Sequence, residues 1–363
     1  MLMLVDLPKP VHGLSNINKK MVEVLKTRSV DTKVINTAPS YASKYHNHWQ
    51  WPIIKIFHTL LCYVRCLWNL LFGKHRYVYR SINGGTGQIY DLAYLGMARL
   101  LGRSILIHHH SFNYLNKHSG LFRFLLKIAG RNVSHIALGK RMKEKLTELY
   151  DVPDSSVFVI SNLAFSELTD SVFEYSEMNN DGEVKIGHLS NLCFEKGLDV
   201  FLDACKGLED IGFPYSAYVV GPCTDDRSKG KLNAFLETSN NLSYLGPLYS
   251  DDKENYLRSL DCFVFPTKYR NEAEPLVLYE AARYGCFLIG SDRGCMADSI
   301  NSLGGMVLKQ AVTYDEVVTA LTEALKNNMF SKDKREERIS KYRSLVAESH
   351  NALNHLMEEI HAK

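Results

Sequence analysis

A chain of 363 residues is longer than one hydrophobic core usually serves, so two domains of about 160 to 180 residues are expected. Its 45% hydrophobic and 23% charged content excludes a fibrous or disordered protein. The net charge of +3 hides a division: residues 1–170 hold 22 Lys and Arg against 10 Asp and Glu, leaving 21 against 30 for the remainder.

The N-terminus opens into an apolar run at 2–5, with Asp6 too early for the apolar region of a secretion signal, so no export address is expected. Further apolar runs at 33–36, 77–82, 104–108, 134–138 and 157–160 alternate with helical stretches such as 15–27, 88–101 and 140–149. That alternation predicts a parallel sheet covered on both faces. Gly13, in a loop after the first strand, permits close approach of backbone to a ligand. His108-His109-His110-Ser111 follows the run at 104–108, and either His109 or His110 carries the outward register.

Between Asp31 and Glu144 the only acid is Asp91, whereas lysines and arginines accumulate, so something anionic is expected on that side. Residues 53–72 set Lys55, His58, Cys62, Arg65 and Asn69 three or four apart, a polar stripe on a mostly apolar helix that is too interrupted to span a bilayer comfortably. Tyr41, Tyr45, His46, His48, Trp49 and Trp51 surround Lys44 just upstream, and Leu121–Lys127 repeats the basic amphipathic theme. Two readings stand side by side: attachment to an anionic membrane surface, or helices packed on the sheet with their cations in water. No nucleic-acid module is present, and nucleic acid is not an expected partner. Eight cysteines without a CxxC pair, mostly inside apolar runs, fit a reducing cytosol.

The polar stretch 166–182 is the expected linker. Beyond it, strands near 184–189, 215–220, 242–245, 261–265 and 286–290 alternate with helices near 197–208, 227–238, 251–259 and 275–284. The last of these follows the run Asn271-Glu272-Ala273-Glu274-Pro275, with Pro275 placed as a first helical residue and Gly285 just past the end. The amides of Leu276, Val277 and Leu278 then form a seat for phosphate. Glu272 can reach a group in front of that helix, and Glu280 can accept hydrogen bonds from hydroxyls further back.

The Glu272-x7-Glu280 pattern resembles the retaining GT-B glycosyltransferases of family 4. Pro10-Val11-His12-Gly13, His108–Ser111, Ile160-Ser161-Asn162, Glu195-Lys196-Gly197, Val220-Gly221 and Tyr244-Leu245-Gly246 fall in that family's order, so the resemblance spans nearly the whole chain. It implies an α/β chain of two Rossmann-like domains facing across a deep cleft. These are an acceptor domain over 1–165 and a nucleotide-sugar domain over 183–339, with a final helix, about 340–363, packing back on the first. It also implies that Lys196 and Gly13 contact the donor diphosphate, that His110 approaches the transferred sugar, that Glu272 holds sugar hydroxyls and that Glu280 holds the ribose. The arginine usual five residues before the lysine is Asn191 here, and Arg293, Lys268 or Arg270 are candidates for the missing charge. Proline at 275 replaces a usual glycine, leaving the seat to Leu276 and Val277.

No metal is expected: Asp225-Asp226 and Asp251-Asp252 lack the spacing of a nucleotide-bound ion, and Lys196 with a helix terminus can replace it. The donor is expected to be a UDP- or GDP-linked sugar, used as co-substrate without a further cofactor. The acceptor expected is a lipid-linked oligosaccharide at the inner face of a bacterial membrane, in O-antigen, capsule or exopolysaccharide assembly. A nucleotide-sugar epimerase of the same architecture and a non-catalytic protein binding anionic glycolipid are the alternatives.

Overall fold

The computed structural model describes residues 1–9, 13–45, 48–82, 84–166, 182–309 and 312–362. Pro10–His12, His46 and nearly all of the expected linker lie outside the described residues. The chain divides into two compact units, Met1–Ser166 with Ser349–Lys363, and Glu167–Glu348.

The first unit runs β1 (Leu2–Val5), α1 (Gly13–Thr27), β2 (Lys33–Asn36), α2 (Trp51–Phe72), β3 (Tyr77–Ile82), α3 (Gln88–Leu100), β4 (Ser104–His109), α4 (Gly120–Ala129), β5 (Val133–Ala137), α5 (Lys140–Tyr150) and β6 (Val157–Val159). All six strands are parallel, in the order β2-β1-β3-β4-β5-β6. Leu2, Met3 and Leu4 of β1 and Ile105, Leu106 and Ile107 of β4 are buried in consecutive positions, as expected of strands covered on both faces.

The second unit runs β7 (Val184–Leu189), α6 (Leu198–Asp210), β8 (Tyr215–Val220), α7 (Asp226–Leu236), β9 (Leu242–Gly246), α8 (Ser250–Ser259), β10 (Cys262–Phe265), α9 (Leu276–Ala282), β11 (Phe287–Ser291), α10 (Met296–Ser302), β12 (Met306–Leu308), α11 (Tyr314–Lys326) and α12 (Lys332–Ala362). Its parallel sheet has the order β12-β11-β10-β7-β8-β9. The apolar runs predict eleven of the twelve strands to within about a residue at each end. The exception is β12, three residues long and too short to carry a period. Helix α12 starts on the second unit, where Arg335 donates to the carbonyls of Tyr284 and Arg258 and Arg338 to that of Gly285. From Ser349 it is grouped with the first unit, where His350 Nε2 lies 2.9 Å from Ser166 O.

Strand order reverses between β1 and β3 in the first sheet and between β10 and β7 in the second. In open α/β sheets the crevice beyond the carboxyl ends of the strands at such a reversal is where ligands bind.

Helix α2 departs from expectation. The stripe of short and polar side chains packs inward: His58, Thr59, Cys62, Cys66 and Leu70 are buried, and His58 Nε2 and Cys62 Sγ reach Asn36 O at 3.1 and 3.5 Å. The apolar side faces outward, because hydrogen bonding to β2 decides which face meets the sheet.

Candidate active site

The loop after β7 folds into a 3-10 turn, Phe194–Lys196, closed by Gly197 at φ +88°. A Cβ on Gly197 would stand 2.2 Å from Pro266 O, so only glycine brings this turn against the chain leaving β10. Lys268 N–H donates to Glu195 O at 2.8 Å and sews the two loops together. The consequence is an ion pair at the switch point, with Lys196 Nζ 2.5 Å from Glu272 Oε2. Lys196 also lies over the Tyr269 ring at 4.7 Å, and Glu272 is only 9% exposed.

The loop holding Glu272 is braced from behind. Cys295 N–H donates to Ala273 O at 2.8 Å, and a Cβ on Gly294 would meet Glu272 O at 2.3 Å. Glu274 is drawn inward by the hydroxyl of Tyr279, which leaves Glu272 as the carboxylate presented beside Lys196.

Pro275 is the N-cap rather than the first helical residue, at φ −71° and ψ 124°. Its carbonyl takes the Leu278 amide at 3.2 Å, so Leu278 leaves the expected seat and the half-buried Leu276 and Val277 remain. With seven residues, α9 contributes little dipole, and the adjoining cation of Lys196 matters more. Glu280, on the same helix, pairs with Lys253 at 2.7 Å, a partner that no sequence motif marked. Asn191 is exposed on the loop leading to Lys196. Among the cations considered for the missing arginine, Lys268 is held by Asp199 at 2.6 Å, Arg270 is exposed, and Arg293 sits on the loop wedged against Glu272. Asp225 caps α7 through Ser228 N and Oγ, each at 2.8 Å. Among the described residues no group of three His, Cys, Asp or Glu side chains is placed to hold a metal ion.

Gly13 and His110 belong to the first unit. Gly13 is the first residue of α1, exposed, rather than part of a loop, since the helix starts as soon as its apolar period does. His109 is committed to the core: Nδ1 lies 2.8 Å from Tyr114 Oη and Nε2 3.0 Å from His135 Nδ1. His110 is half-buried just past β4, and its Nε2 has no hydrogen-bond partner. His109 is thus tied into the core, whereas the His110 ring packs on that of His108, with centroids 4.0 Å apart. Burial pushes the His110 pKa down to about 3, so the ring is neutral.

At the reversal between β1 and β3 lies a cavity of about 300 Å³ that sequence reasoning missed. Asp6, Thr37, Lys55, Arg80 and Asp91 line it. Arg80 donates to Asp91 at 2.7 Å, to Thr37 Oγ1 at 2.9 Å and to Leu4 O at 3.0 Å. The signal was Asp91 itself, a lone acid in a long basic stretch at a helical position facing the sheet.

Residues 174–344 match the family model described as glycosyl transferases group 1. No curated protein matches the chain. Solved structures match it end to end: HepE from Anabaena in complex with UDP, at 12% identity and TM-score 0.70 over 99% of each chain, is one. The lipopolysaccharide outer core galactosyltransferase WaaB in its apo form matches at 13% and 0.70, again over 99% of each chain. Sucrose-phosphate synthase from Thermosynechococcus elongatus matches at 11% and 0.71, with the same coverage. Residues 174–344, just under half of the chain, thus resemble the glycosyl transferases of group 1, in a chain whose fold matches GT-B glycosyltransferases from end to end.

Proposed function

We propose that the protein transfers a hexosyl unit from a nucleotide sugar to an acceptor hydroxyl, with retention of anomeric configuration and without a metal ion. The observation that carries this reading is the Lys196–Glu272 pair at the switch point of the second sheet. As the glycosidic bond breaks, negative charge grows on the leaving diphosphate. Lys196 and the amides of Leu276 and Val277, fixed in advance, stabilise that charge more than they stabilise the ground state. Glu272 exchanges its ammonium partner for sugar hydroxyls, and Glu280 exchanges Lys253 for those of the ribose.

Among the described residues Glu272 is matched by a cation, Lys196, and no carboxylate is assigned the place of a covalent nucleophile. The acceptor oxygen therefore adds on the face the diphosphate leaves, and its proton passes to the departing phosphate oxygen. His110, neutral and weakly basic, serves as a hydrogen-bond partner to the sugar rather than as a base. UDP is the first donor base to test, because the HepE structures hold UDP and UDP-glucose. A lipid-linked oligosaccharide of a bacterial surface polysaccharide suits the basic first unit as acceptor, placing the protein on the cytoplasmic face of the membrane. WaaB, named for lipopolysaccharide outer core, is in keeping with it.

Thermal shifts with UDP, GDP and ADP, followed by product analysis from the matching labelled sugar, test the reading. A stabilising nucleotide and an α-linked product from an α-linked donor are expected. An inverted linkage removes the retaining mechanism, and a free epimerised sugar nucleotide made without acceptor removes transfer altogether.

A further inference from the structure

Ten large apolar side chains of α2 are at least 41% exposed, among them Phe57 and Phe72 at 69%, Val64 at 65% and Trp68 at 64%. They recur every three or four residues and form one continuous face along a helix of 22 residues, about 33 Å long. Monomeric soluble proteins rarely leave so large an apolar patch bare. By length and composition α2 could cross a membrane, yet its other side is built into the first unit. Tyr63 Oη donates to Tyr90 O at 3.0 Å, and Arg103 donates to Leu70 O at 2.7 Å. A helix bonded along one side can lie on a bilayer but not span it.

Charge selects the occupant. The only acid between Asp31 and Glu144 is Asp91, which is buried against Arg80, so no carboxylate from that stretch reaches the surface around α2. Arg65, Lys74 and Arg76 are exposed beside the apolar face. A second copy of the chain would bring the same positive charge to the contact, whereas anionic lipid supplies the opposite sign. Exposed Trp49 precedes the helix and Trp68 packs on Phe72 near its end, residues suited to the depth of lipid headgroups.

We propose that α2 lies in the plane of an anionic bilayer, with the face running from Phe57 to Phe72 sunk among the acyl chains and Arg65, Lys74 and Arg76 at the headgroups. The contact expected from sequence at Arg123 and Lys127 is not the principal one, because Arg123 is engaged by His118, Leu149 O and Asp151. Trp51, Lys55 and Thr59 of α2 line the cavity at the β1–β3 reversal, so docking sets that cavity at the level of a lipid-borne acceptor's polar head. The docking face rests on the membrane reading given above, and donor binding, a property of the second unit, is measured separately from it.

Flotation of the full chain with vesicles of equal phosphatidylglycerol and phosphatidylcholine tests the proposal, with phosphatidylcholine alone as the comparison. Binding to the anionic vesicles is expected. The combined Phe57→Asp, Val64→Asp and Trp68→Asp variant, all at exposed positions, should weaken it by about tenfold or more while leaving the UDP thermal shift unchanged. Arg123→Glu with Lys127→Glu should weaken it far less. Absence of vesicle binding by the wild type, equal binding by the triple variant, or a wild-type dimer that the triple variant dissolves would each overturn the docking face. None of these outcomes alters a donor-induced shift, so the transferase reading stands or falls apart from it.

Discussion

Lys196 Nζ and Glu272 Oε2 meet at 2.5 Å across 76 residues of sequence, joined by two loops that leave β7 and β10 on either side of the sheet's reversal. In the function proposed above, that ammonium meets the leaving phosphate and the carboxylate beside it meets the sugar. Lys196→Ala should lower turnover by about 100- to 1,000-fold, the usual cost of removing one preorganised donor. Glu272→Gln should lower kcat with little change in nucleotide affinity. Steady-state kinetics with nucleotide titration separates the two effects, and a Lys196→Ala enzyme with near wild-type kcat would remove the lysine from the mechanism.

Gly197 makes that pairing possible, being both left-handed and in contact with Pro266 O. Gly197→Ala forces the turn away from β10 and should destabilise the protein by about 3 kcal/mol. Its larger effect should be on donor binding, since Lys196 moves with the turn. Denaturant midpoints and a UDP titration on the same variant check both. Unchanged nucleotide affinity would mean that Lys196 does not need this turn.

Legibility in the sequence followed the length of the signal. The parallel strands were visible because strands buried on both faces read as apolar runs, and the Glu272–Glu280 spacing marked the loop before α9. Which way α2 faces was hidden, because His58 and Cys62 bond to a carbonyl of β2 and a helical period cannot say whether its polar or its apolar side will be buried. Lys253 and Tyr269 were hidden for a different reason. They meet Glu280 and Lys196 through the fold, and no local pattern announces such a partner.

Arg80 and Asp91 are both nearly enclosed, and desolvation raises the Asp91 pKa against the opposing pull of Arg80. Arg80→Met strands a buried carboxylate and should destabilise the first unit by about 3 to 5 kcal/mol. Replacing both, with Arg80→Met and Asp91→Leu, should restore most of that loss, because neither charge is then left alone. The double variant also strips the polar floor from the cavity at β1 and β3, so acceptor KM should rise while UDP affinity stays the same. Full acceptor use by a stable double variant would show that the cavity does not hold the acceptor.

Buried imidazoles give the protein a particular response to acid. Burial pushes the pKa of His135 and His188 down to about 4 and that of His110 to about 3, and carries His108 and His109 well below the ordinary 6.5. Between pH 6.5 and about 4 the unfolded chain therefore binds protons that the folded chain refuses. Stability is complete above the unfolded value and falls as pH drops through that window, by about 1.4 kcal/mol per pH unit for each such histidine. Asp91 and Asp261, whose pKa values burial raises, act in the opposite sense and offset part of the loss. Four of these five histidines lie on β4, β5 or just beyond, and only His188 lies in the second sheet. Lowering pH from about 7 to 5 should therefore reduce hydrogen-exchange protection, measured relative to the intrinsic rate at each pH, in β4 and β5 more than in β7 and β10, and an equal loss of protection in both sheets would mean that the histidine cluster does not set the acid response.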